Sequence, residues 1–157
     1  MTARPRCYIA SPLGFTEAGL DYYARAYLPA LARVVEPVDP WSLTSADEFA
    51  EAAVAGIEAQ RALALDVGRR NADAIRSCAL LAAYLEGQEP DSGTVVEVGY
   101  ACGLGLTCFG LRSDLRLAGE PGVALNLQVE ALIVASGGAI VGSLDALVAA
   151  LERQIGP

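Results

Sequence analysis

The chain has 157 residues, 54% of them hydrophobic and 19% charged, a composition typical of a globular protein and not of a disordered one. Its net charge is −8 and it contains no Lys, which argues against DNA, RNA and anionic membranes as partners. It also contains no His, which excludes Ser-His-Asp and Cys-His catalytic systems.

The four Cys residues have no C-x-x-C spacing, and they are Cys7, Cys78, Cys102 and Cys108. Without His, zinc would need four thiolates, and these spacings do not suit such a site. We therefore expect reduced thiols in a cytoplasmic protein, with no metal. The sequence MTARPRCYIA at positions 1–10 has no signal-peptide h-region, and no charge-free run is long enough to span a bilayer.

The first half of the chain alternates between strand-like and helix-like patterns. It predicts a buried strand at 7–10, a helix at 17–33 that Pro29 kinks or ends, and a second strand at 34–38. A capping box at Ser45 and Glu48 then starts a long helical region, which reaches about Ser77 and is broken near Gly68.

The second half continues the alternation. It predicts a strand at 78–85, a polar loop at 86–93, a helix at 94–102 and a strand at 106–111. A segment of mixed pattern follows at 127–134, then a turn at Gly137 and Gly138, and a final helix capped by Ser143. The whole pattern predicts one α/β domain over residues 1–157. We expect a doubly wound, flavodoxin-like or Rossmann-like fold, with a mostly parallel sheet and helices on both faces.

Parallel sheets of this kind bind ligands beyond the carboxyl ends of their strands. The loops 11–15 and 86–94 are expected there, and Glu97 follows directly after the second of them. No phosphate-binding loop and no complete dinucleotide-binding fingerprint is present. Both loops therefore indicate one small-molecule site beside Glu97.

Glu97 is a lone carboxylate in an apolar stretch, in the first turn of the helix predicted to begin near Thr94. The helix dipole favours its charged form and apolar neighbours disfavour it, a setting that suits a nucleophile or an electrostatic stabiliser. With Asp91 it makes a carboxylate pair of the kind that glycosyl transfer uses. The alternative is structural: Glu97 as a partner of the dipole, and Asp91 or Ser92 as an N-cap.

The segment DSGTVVEVGYA at 91–101 resembles the signature of the nucleoside 2-deoxyribosyltransferase family, Asp-x-Gly-Thr-x-x-Glu-x-Gly-Tyr-Ala. Four more segments are similar to parts of that family in the same order: YIASPLGF at 8–15, RRNADAIRSCALLAAYLEG at 69–87, LRSDLR at 111–116 and NLQVEALI at 126–133. The resemblance therefore covers most of the chain.

The resemblance implies a ping-pong exchange of nucleobases on 2′-deoxyribonucleosides, without a metal or an organic cofactor. Glu97 matches the nucleophile that forms a covalent deoxyribosyl intermediate, and Asp91 matches the carboxylate that contacts and helps protonate the leaving base. Tyr8 matches a residue that orients the nucleophile. The partners implied are nucleosides and free nucleobases.

The resemblance also assigns the substrate-binding residues. Gly93 and Thr94 match the loop that lets the sugar approach the backbone. The residues that match the lining of the base pocket are Ser11, Pro12 and Phe15. Asn126 matches an Asn that reaches the 5′-hydroxyl in a neighbouring subunit's site, so a homo-oligomer is expected.

Two alternatives remain open from the sequence. A hydrolase would use the same Glu97, with water as the acceptor, on nucleosides or nucleoside 5′-monophosphates. A non-catalytic nucleotide-sensing module is suggested only by Ala79, which stands where many relatives carry a base-binding Asp at the start of the third strand. Arg112 and Arg116 are expected in surface ion pairs, and Trp41 is expected to anchor a loop.

Overall fold

A sheet of five parallel strands lies at the centre of the computed structural model, which describes residues 4–156. The strands are β1 (Arg6–Ala10), β2 (Glu36–Val38), β3 (Leu80–Tyr84), β4 (Thr107–Leu111) and β5 (Ile140–Val141). They lie in the order β2-β1-β3-β4-β5, and each neighbouring pair is parallel. This is the strand order of flavodoxin-like doubly wound folds, and it confirms the predicted fold class.

Seven α-helices are described around the sheet: α1 (Glu17–Tyr22), α2 (Leu28–Leu31), α3 (Ala46–Ala55), α4 (Ile57–Arg76), α5 (Ser92–Gly103), α6 (Leu127–Ala135) and α7 (Leu144–Ile155). Alternate strand residues supply two cores, because successive side chains of a strand point to opposite faces. Cys7 and Ile9 pack with α2 and α7, whereas Tyr8 and Ala10 pack with α5 and α6. None of the described helices combines the length and the apolar composition that crossing a bilayer requires.

The helical segment predicted at 17–33 is interrupted, but ahead of Pro29 and not at it. One π-helical turn, Tyr23–Tyr27, lies between α1 and α2, and the amide of Leu28 donates to the carbonyl of Tyr23, five residues back. Pro29 has no amide hydrogen, and in a regular α-helix its ring collides with the carbonyl four residues earlier. The wider turn removes that conflict.

The long helical region is broken at Gly56, not near Gly68 as the sequence predicted. Gly56 ends α3 and precedes α4 with φ of +102°, a conformation that favours glycine. Gly68 lies inside α4. The predicted capping box is confirmed: the Ser45 hydroxyl accepts from the Glu48 amide, and the Glu48 carboxylate accepts from the Ser45 amide.

Two elements of the second half differ from their predictions. The mixed segment at 127–134 is the helix α6, whose residues are nearly all apolar and therefore give no amphipathic pattern. The two-residue strand β5 was not predicted, because two residues carry no periodic signal. The final helix begins after Ser143, whose hydroxyl accepts from the Ala146 amide, as predicted.

Candidate active site

A pocket that contains both predicted carboxylates lies where the strand order reverses. The chain leaves β1 for the edge strand β2, then crosses back to β3 on the other side of β1. The loops after β1 and β3 therefore diverge and leave a crevice between them. The pocket there has a volume of about 290 Å³, near the lower end of the range for small-molecule sites. Its lining residues are Ser11, Phe15, Pro40, Trp41, Thr44, Phe49, Val67, Asn71, Asp91, Gly93, Thr94 and Glu97.

Glu97 reaches the floor of this pocket from α5 and is held there by Tyr8. The Tyr8 hydroxyl donates a hydrogen bond of 2.6 Å to Glu97 Oε1. Tyr8 is fully buried on the face of β1 that α5 covers, so its ring has a fixed position. The structure thus joins two residues that are 89 positions apart in the sequence.

Glu97 lies in the second turn of α5, not in the first turn as the sequence analysis expected, because the helix begins at Ser92. The helix dipole therefore acts on it less strongly than expected, since its effect falls off beyond the first turn. Burial raises the pKa of Glu97, the Tyr8 hydrogen bond lowers it, and the charge of Asp91 raises it, with a net increase. The side chain is a more basic carboxylate than one in water.

Asp91 is the N-cap of α5 as well as a wall of the pocket. Its Oδ2 accepts from the Thr94 amide at 2.8 Å and from the Thr94 hydroxyl at 3.1 Å. Its Oδ1 has no hydrogen-bond partner among the described residues. The interpretation of Asp91 as a helix cap therefore accounts for Oδ2 only. Oδ1 is free to contact a ligand.

Gly93 and Thr94 form the first turn of α5 at the pocket's edge. A Cβ at position 93 would lie 3.1 Å from Asp91 Oδ2, so the absence of a side chain leaves Asp91 room to cap the helix. Thr94 is buried, and its amide and hydroxyl both donate hydrogen bonds to Asp91. The turn thus presents bare backbone to the pocket beside the two carboxylates.

The loop after β1 supplies the opposite side of the carboxylate pair. Ser11 lines the pocket and is 6% exposed, and its hydroxyl accepts from the Leu13 amide at 3.1 Å. Phe15 also lines the pocket and is 74% exposed. Pro12 does not line it; it is half-buried, and its carbonyl accepts from the Phe15 amide. Pro12 therefore shapes the loop that carries Phe15.

Trp41 forms a wall of the pocket that the sequence analysis treated only as a loop anchor. It meets Phe15 edge to face, with ring centroids 4.8 Å apart. Asp39, at the carboxyl end of β2, accepts from the Trp41 amide at 3.0 Å and from the Tyr23 hydroxyl at 2.8 Å. A Cβ on Gly14 would come within 2.3 Å of the indole ring, so a glycine is required beneath Trp41.

Two polar side chains of the pocket have no hydrogen-bond partner. Thr44 Oγ1 and Asn71 Oδ1 are both buried, and neither atom is paired within the described residues. A buried polar atom without a partner costs free energy, so a polar partner for either atom would be stabilising. Sequence reasoning missed both, because each is an ordinary residue on a segment far from the motif.

Ala79, which the resemblance matches to a base-binding position, lies outside the lining of the pocket. It precedes the first residue of β3, at the amino end of the strand, and its amide donates to the Arg6 carbonyl. The pocket lies at the carboxyl ends, and Ala79 is not part of its lining. Ala79 therefore gives no support for a module that has lost its base contact.

The charge of the pocket is entirely negative. Asp91 and Glu97 are its charged lining residues, and no Arg among the described residues lines it. Across residues 4–156, no group of three or more Cys, Asp or Glu side chains is arranged to hold a metal ion. The site therefore offers carboxylates, hydroxyls, one amide and aromatic rings to a ligand.

Asn126 is the one predicted site residue that lies apart from the others. It is exposed, it caps α6, and its Oδ1 accepts from the Gln128 amide at 3.0 Å. It does not line the pocket of its own chain. Its expected contribution to a neighbouring subunit's site stays a prediction.

The sequence of the chain also matches a known protein family. The family model described as nucleoside 2-deoxyribosyltransferase matches residues 7–142. That range contains Tyr8, both carboxylates and Asn126. No match was found among curated proteins.

Solved structures with the same fold include enzymes. A 2-deoxyribosyltransferase from Leishmania mexicana is 24% identical, with a TM-score of 0.66 over 92% of this chain and 95% of that one. A 2-deoxyribosyltransferase from Bacillus psychrosaccharolyticus is 18% identical, with a TM-score of 0.65 over 91% and 90%. A CMP N-glycosidase from Clostridium botulinum is 16% identical, with a TM-score of 0.57 over 95% and 98%. At these identities the likeness shows the fold.

Proposed function

The chain belongs to the nucleoside 2-deoxyribosyltransferase family, and from this membership we propose that it exchanges the base of 2′-deoxyribonucleosides through an ester on Glu97. The observation that carries the proposal is the Tyr8–Glu97 hydrogen bond at the floor of a pocket that Asp91 also lines. It supports a nucleophile of fixed orientation beside a second carboxylate. Retaining glycosyl transfer needs that pair.

In the first half-reaction, Glu97 attacks C1′ of the bound sugar from the face opposite the base. The C1′–N bond breaks and its electron pair goes to the base nitrogen. Asp91, protonated, gives its proton to the departing base, so that the base leaves neutral. The products are a deoxyribosyl ester on Glu97, a free base and an ionised Asp91. Tyr8 keeps the attacking oxygen in line by binding the other carboxylate oxygen.

The second half-reaction reverses these steps with a new base. A nitrogen of the incoming base attacks C1′, and the ester oxygen returns to Glu97 as a carboxylate. Asp91 accepts the proton that this nitrogen loses, which restores the starting state. Two inversions at C1′ give net retention. The raised pKa of Glu97 suits a nucleophile that must bond to carbon, since basicity and nucleophilicity rise together.

The base is proposed to bind between aromatic rings and two polar groups. Phe15, Trp41 and Phe49 offer flat apolar surface, and stacked aromatic contacts are favourable beyond their buried area. The Asn71 amide and the Thr44 hydroxyl, both without partners, would pair with the polar edge of the base. Amides are suited to this task because they donate and accept in one plane.

A hydrolase is the second candidate, and the CMP N-glycosidase of the same fold is what favours it. Water would then replace the second base in the attack on the ester. The lining of the pocket speaks against a 5′-monophosphate as the substrate, because a phosphate is usually bound by Arg or Lys, whereas the ionisable side chains of this lining are the acidic residues Asp91 and Glu97. An uncharged nucleoside fits the pocket better.

One incubation separates the two activities. A 2′-deoxynucleoside is incubated with the enzyme, with and without a second free base, and products are resolved by liquid chromatography. Exchange predicts a new nucleoside that forms only with the second base. Release of the base at the same rate without an acceptor, with free deoxyribose as the product, would identify a hydrolase instead. A parallel run with the 5′-monophosphate tests the argument from charge.

Tyr8→Phe is expected to shift the pH dependence of the reaction. Attack requires ionised Glu97, so kcat/KM falls as the pH drops through the raised pKa of that residue. The Tyr8 hydrogen bond stabilises the ionised form and lowers the pKa, so its removal raises the pKa further. The acid limb of the kcat/KM profile should therefore move to higher pH. An unchanged limb would mean that Tyr8 does not act on the titrating group.

A further inference from the structure

Arg112 is a buried cation that the proposed reaction does not use. Its residue is 6% exposed, and it follows directly after β4, at the end of the sheet where the pocket lies. Its Nη1 donates to the carbonyls of Leu85 at 2.9 Å and Gly87 at 2.7 Å, and its Nη2 donates to the Arg116 carbonyl at 2.9 Å. It forms no ion pair with the described carboxylates, so the expected surface ion pair is wrong for this residue.

Glu86 makes the reciprocal connection between the same two loops. Its Oε1 accepts from the Ser113 amide at 2.6 Å and from the Ser113 hydroxyl, and its Oε2 accepts from the Asp114 amide at 2.8 Å. Each loop thus holds the backbone of the other through a charged side chain. We name this pair of contacts, from Arg112 and from Glu86, the loop clasp.

The loop clasp lies directly upstream of the residue that gives up the proton. The loop that begins at Leu85 ends at Asp91, the N-cap of α5, and only a few residues separate the clasp from that carboxylate. Burying a guanidinium is costly unless its donors are satisfied. The hydrogen-bond partners of this guanidinium are all backbone carbonyls, so its burial is stabilised by contacts with the loops and not by a carboxylate.

We propose that Arg112 is a positioning residue for the departure of the base, because it fixes the loop that aims the free oxygen of Asp91 at the leaving group. This inference rests on the proposed function, in which Asp91 protonates the base. The fork of the guanidinium spans two carbonyls at once, which the single ammonium group of lysine does not reproduce. Arg112 acts on the first half-reaction through Asp91, whereas Glu97 is held independently by Tyr8.

The test separates positioning of the proton donor from general stability. Two nucleosides serve as deoxyribosyl donors: 2′-deoxyguanosine and its N7-methylated cation. The base of the methylated cation leaves as a neutral molecule without receiving a proton. Arg112→Met is expected to lower kcat on 2′-deoxyguanosine by about 10–100-fold, part of the range for general acid catalysis, with KM changed less than about threefold. On the methylated donor, kcat should change less than about threefold.

Three further variants complete the comparison. Arg116→Gln is the matched control: it removes an exposed Arg of the same loop but keeps the carbonyl that Arg112 binds, and both donors should react as with wild type. Arg112→Lys and Glu86→Gln should show the same donor dependence as Arg112→Met, to a smaller degree. Asp91→Asn should show the full difference between the two donors. The double variant with Arg112→Met should have the same kcat as Asp91→Asn alone.

The outcomes distinguish the inference from its premise. Equal slowing of both donors by Arg112→Met, with Asp91→Asn selective for 2′-deoxyguanosine, would overturn the positioning role and leave the proposed function intact. Equal slowing of both donors by Asp91→Asn would instead overturn the acid role of Asp91. If Arg112→Met does not fold, as judged by thermal unfolding, Arg112→Lys and Glu86→Gln decide: slowing confined to 2′-deoxyguanosine supports the role, and slowing of both donors overturns it.

Discussion

Glu97→Gln is expected to abolish base exchange, with kcat/KM lowered by at least ~10⁴-fold, as when other covalent nucleophiles are removed. The amide oxygen keeps the shape of the side chain and still accepts from the Tyr8 hydroxyl, so the loss would report on the missing nucleophile. Exchange is measured by chromatography. Intact-protein mass spectrometry at a single turnover should show one added deoxyribosyl group on the wild type and none on the variant.

The same substitution also has an expected effect on stability, which rules out unfolding as the cause of the lost activity. The pKa of Glu97 is raised by burial, so the folded state favours the neutral form, and ionisation near neutral pH opposes folding. Glu97→Gln should therefore unfold at a higher temperature than wild type at pH 7. That advantage should shrink as the pH falls through the raised pKa of folded Glu97, and it should vanish only below the ordinary pKa of a Glu carboxyl in the unfolded chain, where both states are protonated.

An exposed carboxylate supplies the control for Glu97. Glu51→Gln on α3 removes one negative charge outside the pocket and should keep wild-type exchange. Near-normal exchange by Glu97→Gln would contradict the assignment of the nucleophile, whatever the behaviour of the control.

Asp91→Asn is expected to lower kcat by about 10²–10⁴-fold, since the leaving base then receives no proton from the protein. Asparagine caps helices as well as aspartate does, so the hydrogen bond from the Thr94 amide should persist and α5 should keep its start. The loss should be smallest for donors with bases that leave readily. Rates are compared across a series of 2′-deoxynucleosides whose bases differ in basicity.

Asp91→Ala separates capping from catalysis. It removes both functions, so its free energy of unfolding should fall by about 1 kcal/mol, while Asp91→Asn should change it little. Wild-type exchange by Asp91→Asn, with a destabilised Asp91→Ala, would mean that Asp91 is only the cap of α5.

The fold class could be predicted from the sequence because each element carries its own signal. The apolar runs around Cys7 and Leu81 are buried on both faces of the sheet, which gives uninterrupted hydrophobic segments. Ser45 and Ser143 mark helix starts by side-chain chemistry that acts over three residues. The boundaries of the helices carry a weaker signal. The break at Gly56 depends on its positive φ, and the sequence does not show which of several glycines adopts that conformation.

The sequence could predict that the two carboxylates and Tyr8 lie near one edge of the sheet, because a short motif carries Asp91 and Glu97 and the first strand carries Tyr8. Their catalytic roles stay predictions. The other pocket residues have no such local signal. Asn71 lines the pocket because α4 packs beside α5, and Trp41 does so because Asp39 holds the turn after β2. These are properties of tertiary packing, in which side chains distant in sequence converge, and one sequence does not encode them as a pattern.

The two sides of the pocket differ in how deeply they are anchored. Glu97 is held on the sheet by fully buried Tyr8, whereas Phe49, Val67 and Asn71 lie on the helical hairpin of α3 and α4. Within the described chain, α3 buries no residue and α4 buries only Ile75. Segments with little buried surface open locally at a lower free energy than the core. In the proposed mechanism, local opening of the hairpin would let one base leave and another enter, while Glu97, the residue that carries the sugar ester, keeps its anchor to the sheet through Tyr8.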